Sequence, residues 1–274
     1  MTELVFLKLG GSLITDKDQP YTQRLDKLAE LADEIASSWT SGRRLILGHG
    51  SGSFGHAAAK QYATREGLVP PIQKKGGEKD GENYWKGFAE VWFQASKLNR
   101  FVMESLRATG LPAIALAPVA AVTSREIRVR TWDLTPLRAA LDARLLPVIY
   151  GDVIFDEARR GTILSTEDLF AHLTLQLRPQ RILLAGLEKG VWEDFPTRTR
   201  LVDRISLQSY ETMRAGIGAS ASVDVTGGMA AKVELMFNLI RMIPGLIVQI
   251  FSAEQSGNLA RALAGERVGT ELGA

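Results

Sequence analysis

The chain has 274 residues, 45% of them hydrophobic, so it is long enough to bury the core of one large α/β domain. Its 33 Lys and Arg side chains nearly balance its 31 Asp and Glu side chains, and there is no long basic run of the kind that binds nucleic acid. Cysteine is absent, which excludes disulfides, thiolate metal sites and cysteine nucleophiles.

The beginning of the sequence lacks the basic stretch and small-residue cleavage site of a secretory signal. No apolar run approaches the roughly 18 to 20 residues that cross a bilayer. We therefore expect a cytoplasmic protein that does not act on membranes or nucleic acid.

Short apolar segments alternate with amphipathic helix patterns along the chain. Segments with the length of buried parallel strands are residues 4–9, 45–47, 113–117, 145–150, 182–185 and 246–251. The clearest helix patterns cover residues 25–39, 85–106 and 233–240. This alternation predicts a mostly parallel sheet with helices on both faces.

Three segments depart from the alternation. Residues 125–132 and 153–163 have hairpin patterns and predict antiparallel strands near the edge of the sheet. Residues 60–83 combine prolines, glycines and many charges with little periodicity. We predict a mobile surface loop there, which could serve as a lid.

The first candidate for a ligand-binding segment is Lys-Leu-Gly-Gly-Ser at residues 8–12, at the end of the opening strand. Glycines let backbone N–H groups approach an oxyanion, and Ser12 and Lys8 add a hydroxyl and a positive charge. A plain strand-to-helix turn is the alternative. It leaves Lys8 unexplained, because a lysine in an apolar strand is costly without an anion.

A glycine-rich segment follows the second predicted strand, at residues 48–56, and the alanines from Ala57 onward predict a helix. A strand, a glycine-rich loop and a helix N-terminus form an anion-binding arrangement. We expect His56, at that N-terminus, to donate a hydrogen bond to a phosphate oxygen. His49 lies closer to the strand, and a structural role is the better interpretation for it.

Residues 224–232 repeat the combination of glycines and a lysine at the start of a helix. Gly228 would offer an N–H donor, and Lys232, four residues later, could reach a phosphate held there. A capped helix without a ligand is the alternative. Because it is the third segment in this chain that combines glycines with a lysine, we favour the anion-binding interpretation.

Two further segments contain carboxylates. Asp152 follows the strand at residues 145–150, and ligands of open α/β sheets bind at the carboxyl ends of strands. It could orient a catalytic lysine or act through Mg²⁺. Ser165 and Asp168 have the spacing of a helix capping box, and a chemical role for either is the alternative.

Taken in order, these motifs resemble the amino acid kinase superfamily and, within it, the isopentenyl phosphate kinases. The resemblance rests on residues 8–12 with Lys17, on the glycine loop that ends at His56, on residues 150–152, and on Thr-Gly-Gly-Met at 226–229 with Lys232. It implies a three-layer αβα fold in a single domain 1–274, with an acceptor-binding lobe of about residues 1–175 and a nucleotide-binding lobe of about 176–274. It also implies ATP, Mg²⁺ and a homodimer.

The resemblance implies a role for each matching position. The catalytic residues would be Lys8, Lys17, His56 and Lys232, with Lys17 stabilising the transferring phosphoryl group. The ATP contacts would be Lys8, Leu9, Gly10, Gly11, Ser12, Gly52, Gly228 and Lys232. The acceptor contacts would be Gly50, Ser51, His56, Gly151 and Asp152. No protein ligand to a metal is assigned.

The sequence departs from the family pattern in three places. Ser51 replaces a glycine, a change that has no effect if only its backbone N–H contacts the ligand. Residues 165–168 read Ser-Thr-Glu-Asp where Ser-Gly-Asp is usual, so no orienting role is assigned to Asp168. Residues 185–192 differ from the usual nucleotide segment, so no nucleobase contacts are assigned.

The implied reaction is ATP-dependent phosphorylation of a phosphorylated acceptor, with isopentenyl phosphate first among the candidates. Such an acceptor is already ionised near neutral pH, so His56 would bind it and no general base is required. Phosphorylation of the phosphonate fosfomycin is the nearest alternative. Kinases of carboxylates have no use for His56 and rank third, and a non-catalytic nucleotide or metabolite sensor is the alternative from another class.

Overall fold

The computed structural model describes residues 3–39, 43–68, 79–213 and 228–274. Within these ranges the strands are β1 (Leu4–Leu9), β2 (Arg44–His49), β3 (Ala113–Ala115), β4 (Val122–Arg125), β5 (Arg128–Trp132), β6 (Leu146–Tyr150), β7 (Asp152–Asp156), β8 (Arg160–Leu164), β9 (Arg181–Gly186), β10 (Val191–Trp192), β11 (Leu201–Val202), β12 (Arg204–Ser206), β13 (Ile247–Ser252) and β14 (Thr270–Gly273). The helices are α1 (Gly11–Ile14), α2 (Leu25–Ser37), α3 (Gly52–Tyr62), α4 (Lys79–Ala108), α5 (Thr135–Asp142), α6 (Thr166–Leu177), α7 (Leu207–Met213), α8 (Gly228–Met242) and α9 (Asn258–Ala264).

Eight strands form the main sheet in the order β12-β14-β13-β9-β1-β2-β6-β3. The six neighbours from β13 to β3 are parallel, whereas β14 is antiparallel to β13 and parallel to β12. All six strands predicted from the apolar segments lie in this sheet, which confirms its mostly parallel character. The opening strand β1 lies near its centre, between β2 and β9.

Alternate side chains of β1 point to opposite faces of the sheet and enter separate cores. Leu4 and Phe6 pack in a core with buried residues of α5, α6 and α8. Val5, Leu7 and Leu9 pack in another with buried residues of α2, α4 and α9. Helices therefore cover both faces, and the three-layer αβα architecture is confirmed.

The two predicted hairpins exist, but they do not extend the main sheet. They form a second sheet in the order β5-β4-β7-β8, in which β4 and β7 are parallel. The Asp156 carboxylate joins the hairpins because it accepts hydrogen bonds from Ser124 Oγ and from the backbone N–H groups of Ile127 and Arg159. The buried Asp156 carboxylate thus holds the two hairpins together in a sheet of their own. Alternation of apolar residues does not reveal such a contact, and the prediction of strands near the edge of the main sheet was therefore wrong.

The loop predicted over residues 60–83 is helical at both ends, since α3 continues to Tyr62 and α4 begins at Lys79. Contacts between the two helices override the local composition: Gly87 packs against Tyr62, and Tyr84 Oη donates a hydrogen bond to the Thr64 carbonyl at 3.1 Å. Residues 69–78, the middle of the predicted lid, lie outside the described residues. No helix in the described ranges combines the length and apolarity needed to cross a membrane.

Candidate active site

A cavity of about 820 Å³ opens at the carboxyl ends of the central strands β1, β2 and β9. Most of the predicted site residues line it, namely Lys8, Gly10, Gly11, Ser12, Lys17, Gly50, Ser51, Gly52, His56, Gly151, Gly228 and Lys232. Two predicted residues do not line it: the Leu9 side chain packs in the core and Asp152 is fully buried. The structure therefore brings motifs as far apart in sequence as Lys8 and Lys232 into one site.

The two glycine loops after β1 and β2 touch through their backbones. A side chain at Gly11 would collide with the backbone of Gly52, and one at Gly50 would lie 2.9 Å from the Gly11 nitrogen. The hydroxyl of Thr15 reinforces this contact, because it donates to the Gly11 carbonyl at 2.8 Å and accepts from the Ser53 N–H at 3.0 Å. The glycines are thus required for the loops to approach each other, in addition to any approach to a ligand.

Helix α3 starts inside the glycine-rich segment rather than at Ala57 as predicted. It begins at Gly52, so His56 lies one turn inside the helix, half-buried and on the cavity wall. Burial of Phe54 and the hydrogen bond from the Ser53 N–H to Thr15 stabilise a first turn that glycine and serine alone would not favour. The positive helix end and His56 therefore face the same cavity.

Lys8 forms an ion pair with a residue that the sequence did not single out. Its side chain faces the helices α6 and α8, and its Nζ lies 2.8 Å from Glu167 Oε1, with both side chains about one-tenth exposed. Burial alone would raise the pKa of Glu167, but the charges of Lys8 and Lys232 together hold it below its ordinary value. Glu167 is therefore an anion between two catalytic candidates, and the need of Lys8 for an anionic partner was the signal that could have revealed it.

The start of α6 explains why Glu167 and not Asp168 reaches Lys8. Ser165 and Asp168 form a capping box, in which Ser165 Oγ accepts from the Asp168 N–H at 3.1 Å and Asp168 Oδ2 accepts from the Ser165 N–H at 2.8 Å. This confirms the capping interpretation. Asp168 is engaged at the helix end, and the preceding residue in the first turn points to the strand β1.

His49 has the structural environment that its position predicted. It is fully buried, with Nε2 3.1 Å from Asn99 Oδ1 and Nδ1 3.1 Å from the Gly50 carbonyl, and it stacks on Tyr150. Burial lowers the pKa of His49, so the neutral ring is favoured. Through its contact with Gly50 it supports the glycine loop from the core, and it does not line the cavity.

Asp152 begins β7 immediately after Gly151, which does line the cavity. Its carboxylate accepts hydrogen bonds from the N–H groups of Val153 at 2.8 Å and Val119 at 3.4 Å. Burial raises the pKa of Asp152 to about 7 despite these two donors. The structure thus places a readily protonated carboxyl group behind the cavity wall.

The cavity is positively charged. Among the described lining residues, six are basic and three are acidic: Lys8, Lys17, Lys60, Arg65, Arg198 and Lys232 against Asp18, Glu167 and Glu188. Backbone N–H groups of the glycine loops add to this field. Such a site suits a ligand with several negative charges. The described part of the chain has no group of three or more His, Asp or Glu residues that could hold a metal ion.

Beyond the carboxyl end of β9 the cavity wall becomes aromatic. Trp192 and Phe195 line it together with Glu188 and Arg198, whose guanidinium lies 5.4 Å from the centre of the Phe195 ring. Arg198 Nη1 is 3.2 Å from Glu188 Oε1, and Trp192 Nε1 donates to Glu188 Oε2 at 3.3 Å. The sequence analysis assigned no nucleobase contacts to residues 185–192, because they depart from the usual ones, and it did not single out Phe195 or Arg198.

Comparison with known proteins gives consistent matches along the whole chain. A model of the amino acid kinase family matches residues 3–249. The isopentenyl phosphate kinases of Methanothermobacter thermautotrophicus and Methanocaldococcus jannaschii are 35% and 30% identical, and each alignment covers 98% of both chains. A crystal structure of isopentenyl phosphate kinase superposes with a TM-score of 0.82 at 30% identity, covering 98% of this chain and 99% of the other.

Proposed function

The chain belongs to the amino acid kinase family, and from that premise we propose that it transfers the γ-phosphoryl group of ATP to isopentenyl phosphate, forming isopentenyl diphosphate. The observation that carries the proposal is the cationic cavity in which two glycine loops and four candidate catalytic side chains meet. Two relatives that match over their full length are isopentenyl phosphate kinases, which supports the choice of acceptor.

The sheet order supports a place for each substrate. Strand β1 has β2 on one side and β9 on the other, so Lys8 lies between the two halves of the cavity. The acceptor phosphate would bind over β2 and α3, at Gly50, Ser51 and His56. The ATP phosphates would bind over the loop after β1 and the start of α8, near Lys232.

Catalysis would consist of alignment and charge neutralisation. Phosphoryl transfer between two anions requires the reacting oxygens to be in line and the negative charge to be compensated. Lys8, Lys17 and Lys232 provide cations, and Glu167 acts as a positioning residue for Lys8. The acceptor phosphate has a second pKa of about 6, so it attacks without a general base.

We propose that Mg²⁺ arrives with ATP and that the phosphates supply most of its ligands. The described residues offer no carboxylate cluster for it, and Glu167 is already paired with Lys8. When bound, the ion would neutralise charge on the β- and γ-phosphates. ATP itself fits the residues present, since glycine N–H groups and lysines line one side of the cavity.

We further propose a cytoplasmic homodimer whose single domain has the two lobes expected from the family resemblance, about residues 1–175 for the acceptor and 176–274 for the nucleotide. The subunit mass is 30.0 kDa. Analytical ultracentrifugation should give a species of twice that mass, and a single species at the subunit mass would contradict the dimer.

The function is tested by measuring ADP release with isopentenyl phosphate, dimethylallyl phosphate, fosfomycin and N-acetylglutamate. Isopentenyl phosphate should give the largest kcat/KM, and mass spectrometry should detect the diphosphate product. The matched control is the Lys8→Met variant under the same conditions. A larger kcat/KM for fosfomycin or N-acetylglutamate, or no turnover with any acceptor, would refute the proposal.

A further inference from the structure

We infer that Glu188 and Arg198 form a pair that recognises the edge of the nucleobase and makes the enzyme prefer adenine to guanine nucleotides. The inference rests on the proposed function, because it concerns the phosphoryl donor of that reaction. It assigns a specificity role to Glu188, which lies in the segment 185–192 that departs from the family pattern, and to Arg198 on the loop that follows.

The position of the pair is the first argument. Glu188 and Arg198 follow β9, which lies on the opposite side of β1 from β2 and His56. The pair is therefore on the nucleotide side of Lys8. Trp192 and Phe195 line the same part of the cavity, and aromatic rings offer flat surfaces on which a base can stack.

The pair is held in place by the surrounding loop. Asp194 organises residues 194–200, because its carboxylate accepts hydrogen bonds from the N–H groups of Thr199 and Arg200. Arg198 itself has a φ of 57°, in the left-handed region that non-glycine residues rarely occupy. Unfavourable backbone conformations of this kind persist where the surrounding structure imposes them, and they cluster at ligand sites.

The chemistry of the pair determines which base it fits. The guanidinium has five N–H donors, of which the contact with Glu188 engages one nitrogen, and the carboxylate retains acceptor capacity beside its two contacts. Adenine presents the N7 acceptor next to the N6 amino donor, which matches one donor and one acceptor. Guanine presents two acceptors, N7 and O6, so its O6 would face the Glu188 carboxylate with unfavourable electrostatics.

The test compares kcat/KM for ATP and GTP at saturating isopentenyl phosphate. The wild-type enzyme should prefer ATP. The Glu188→Gln variant should lower the ATP:GTP ratio by roughly tenfold, because an amide can donate to guanine O6. The Arg198→Ala variant should raise KM for ATP by roughly tenfold with kcat within about twofold, as expected for lost binding that is equal in ground and transition states.

Arg200→Ala is the matched control. Arg200 lies on the same loop, is exposed and pairs with Glu193 at 3.6 Å, but it does not line the cavity. It should leave both the ATP:GTP ratio and KM at their wild-type values. A purely structural role of the pair would lower the melting temperature without changing the ratio.

An ATP:GTP ratio that stays within twofold of wild type in Glu188→Gln overturns the inference, and so does an equal loss of activity with both nucleotides. If the wild-type enzyme does not phosphorylate isopentenyl phosphate, the proposed function fails separately. In that case the inference is tested by calorimetry: the ratio of the dissociation constants for GTP and ATP should fall by roughly tenfold in Glu188→Gln, and an unchanged ratio would overturn it.

Discussion

A buried ion pair fixes the position of the candidate catalytic lysine. Lys8 lies in a strand whose other side chains are apolar, and Glu167 from α6 compensates its charge at 2.8 Å. Removing one partner of such a pair leaves an uncompensated charge, whereas replacing both by neutral groups can be tolerated. Stability and catalysis can therefore be separated at this site.

We expect Lys8→Met alone to lower the free energy of unfolding by about 3 kcal/mol, because Glu167 would remain buried without the cation that pairs with it, and the charge of Lys232 would compensate it only in part. The double variant Lys8→Met/Glu167→Gln should recover most of that stability. Its kcat should nevertheless be roughly a hundredfold below wild type, since the cation at the transferring phosphoryl group is lost. Urea denaturation and steady-state kinetics on the same preparations measure both effects, and near-normal kcat in the double variant would exclude the role of Lys8.

In the proposed function, His56 is the residue that would distinguish a phosphate acceptor from a carboxylate acceptor. If its ring donates a hydrogen bond to the acceptor phosphate, His56→Ala should lower kcat/KM for isopentenyl phosphate by roughly ten- to a hundredfold. KM for ATP should change little. His56→Gln should be less harmful, because an amide can still donate to an oxygen.

The control for His56 is the melting temperature of both variants. A histidine with only a structural role in α3 would lower the melting temperature on replacement and leave kcat/KM of the folded enzyme unchanged. That combination would end the assignment of His56 to the acceptor.

Asp152 should make stability depend on pH. Burial raises the pKa of Asp152 to about 7, above the value of 3.8 for an unperturbed aspartate. The protonated form is thus favoured in the folded state, and its contribution to stability is lost as the pH rises from about 4 through 7. The loss over this range is on the order of a few kcal/mol.

Asp152→Asn removes this titration. The wild type should lose stability from pH 4.5 to pH 8 and the variant should not, so the stability of the variant minus that of wild type should increase over this range. Thermal unfolding at both pH values measures the difference. A stability difference between variant and wild type that is independent of pH would contradict the raised pKa of Asp152.

At the scale of elements, the contact between α1 and α3 makes the two glycine loops one unit. Thr15 donates to the Gly11 carbonyl and accepts from the Ser53 N–H, and it is almost fully buried. The loops carry residues proposed for both substrates. With the proposed binding sites, their relative position would determine the distance between donor and acceptor.

Thr15→Val keeps the shape of the side chain and removes both hydrogen bonds. We expect a loss of about 1 to 3 kcal/mol in the free energy of unfolding, because the half-buried Ser53 N–H loses its acceptor, while the Gly11 carbonyl keeps the hydrogen bond from the Thr15 N–H. KM should rise for ATP and for the acceptor together. Thr15→Ser retains the hydroxyl and is the control; equal effects of the two substitutions would show that packing, not the hydroxyl, matters.

At the scale of the whole molecule, the cavity wall combines a strand and a helix that are far apart in the sequence. Lys8 comes from β1 and Lys232 from α8, and both line one cavity. A nucleotide bound between them should stabilise the fold, by about 2.7 kcal/mol at a concentration of one hundred times Kd. For a domain of this size that corresponds to a rise in melting temperature of roughly 5 to 10 °C.

Thermal denaturation with Mg-ATP added at such a concentration measures this rise. The Lys8→Met/Glu167→Gln variant is the control, and its shift should be much smaller. An unchanged melting temperature of the wild-type protein at saturating ATP would contradict binding at this site.

The sequence predicted the parts of the fold and site that depend on local patterns. Apolar segments identified six strands of the sheet, and glycines next to lysines identified the cavity wall. Glu167 was missed because its role depends on β1 and α6 being adjacent, which no local pattern shows. Helical structure at residues 60–62 and the separate sheet joined by Asp156 likewise depend on tertiary contacts.

The central position of β1 also sets when activity can arise during synthesis. This strand is synthesised well before its partner β9, since Val5 pairs with Arg181, and Lys232 follows later still. Contacts between segments so distant in sequence form slowly, and an unpaired apolar strand invites aggregation in the meantime. The nascent chain therefore stays inactive until most of it has been translated, and β1 is the segment that a chaperone would have to shield.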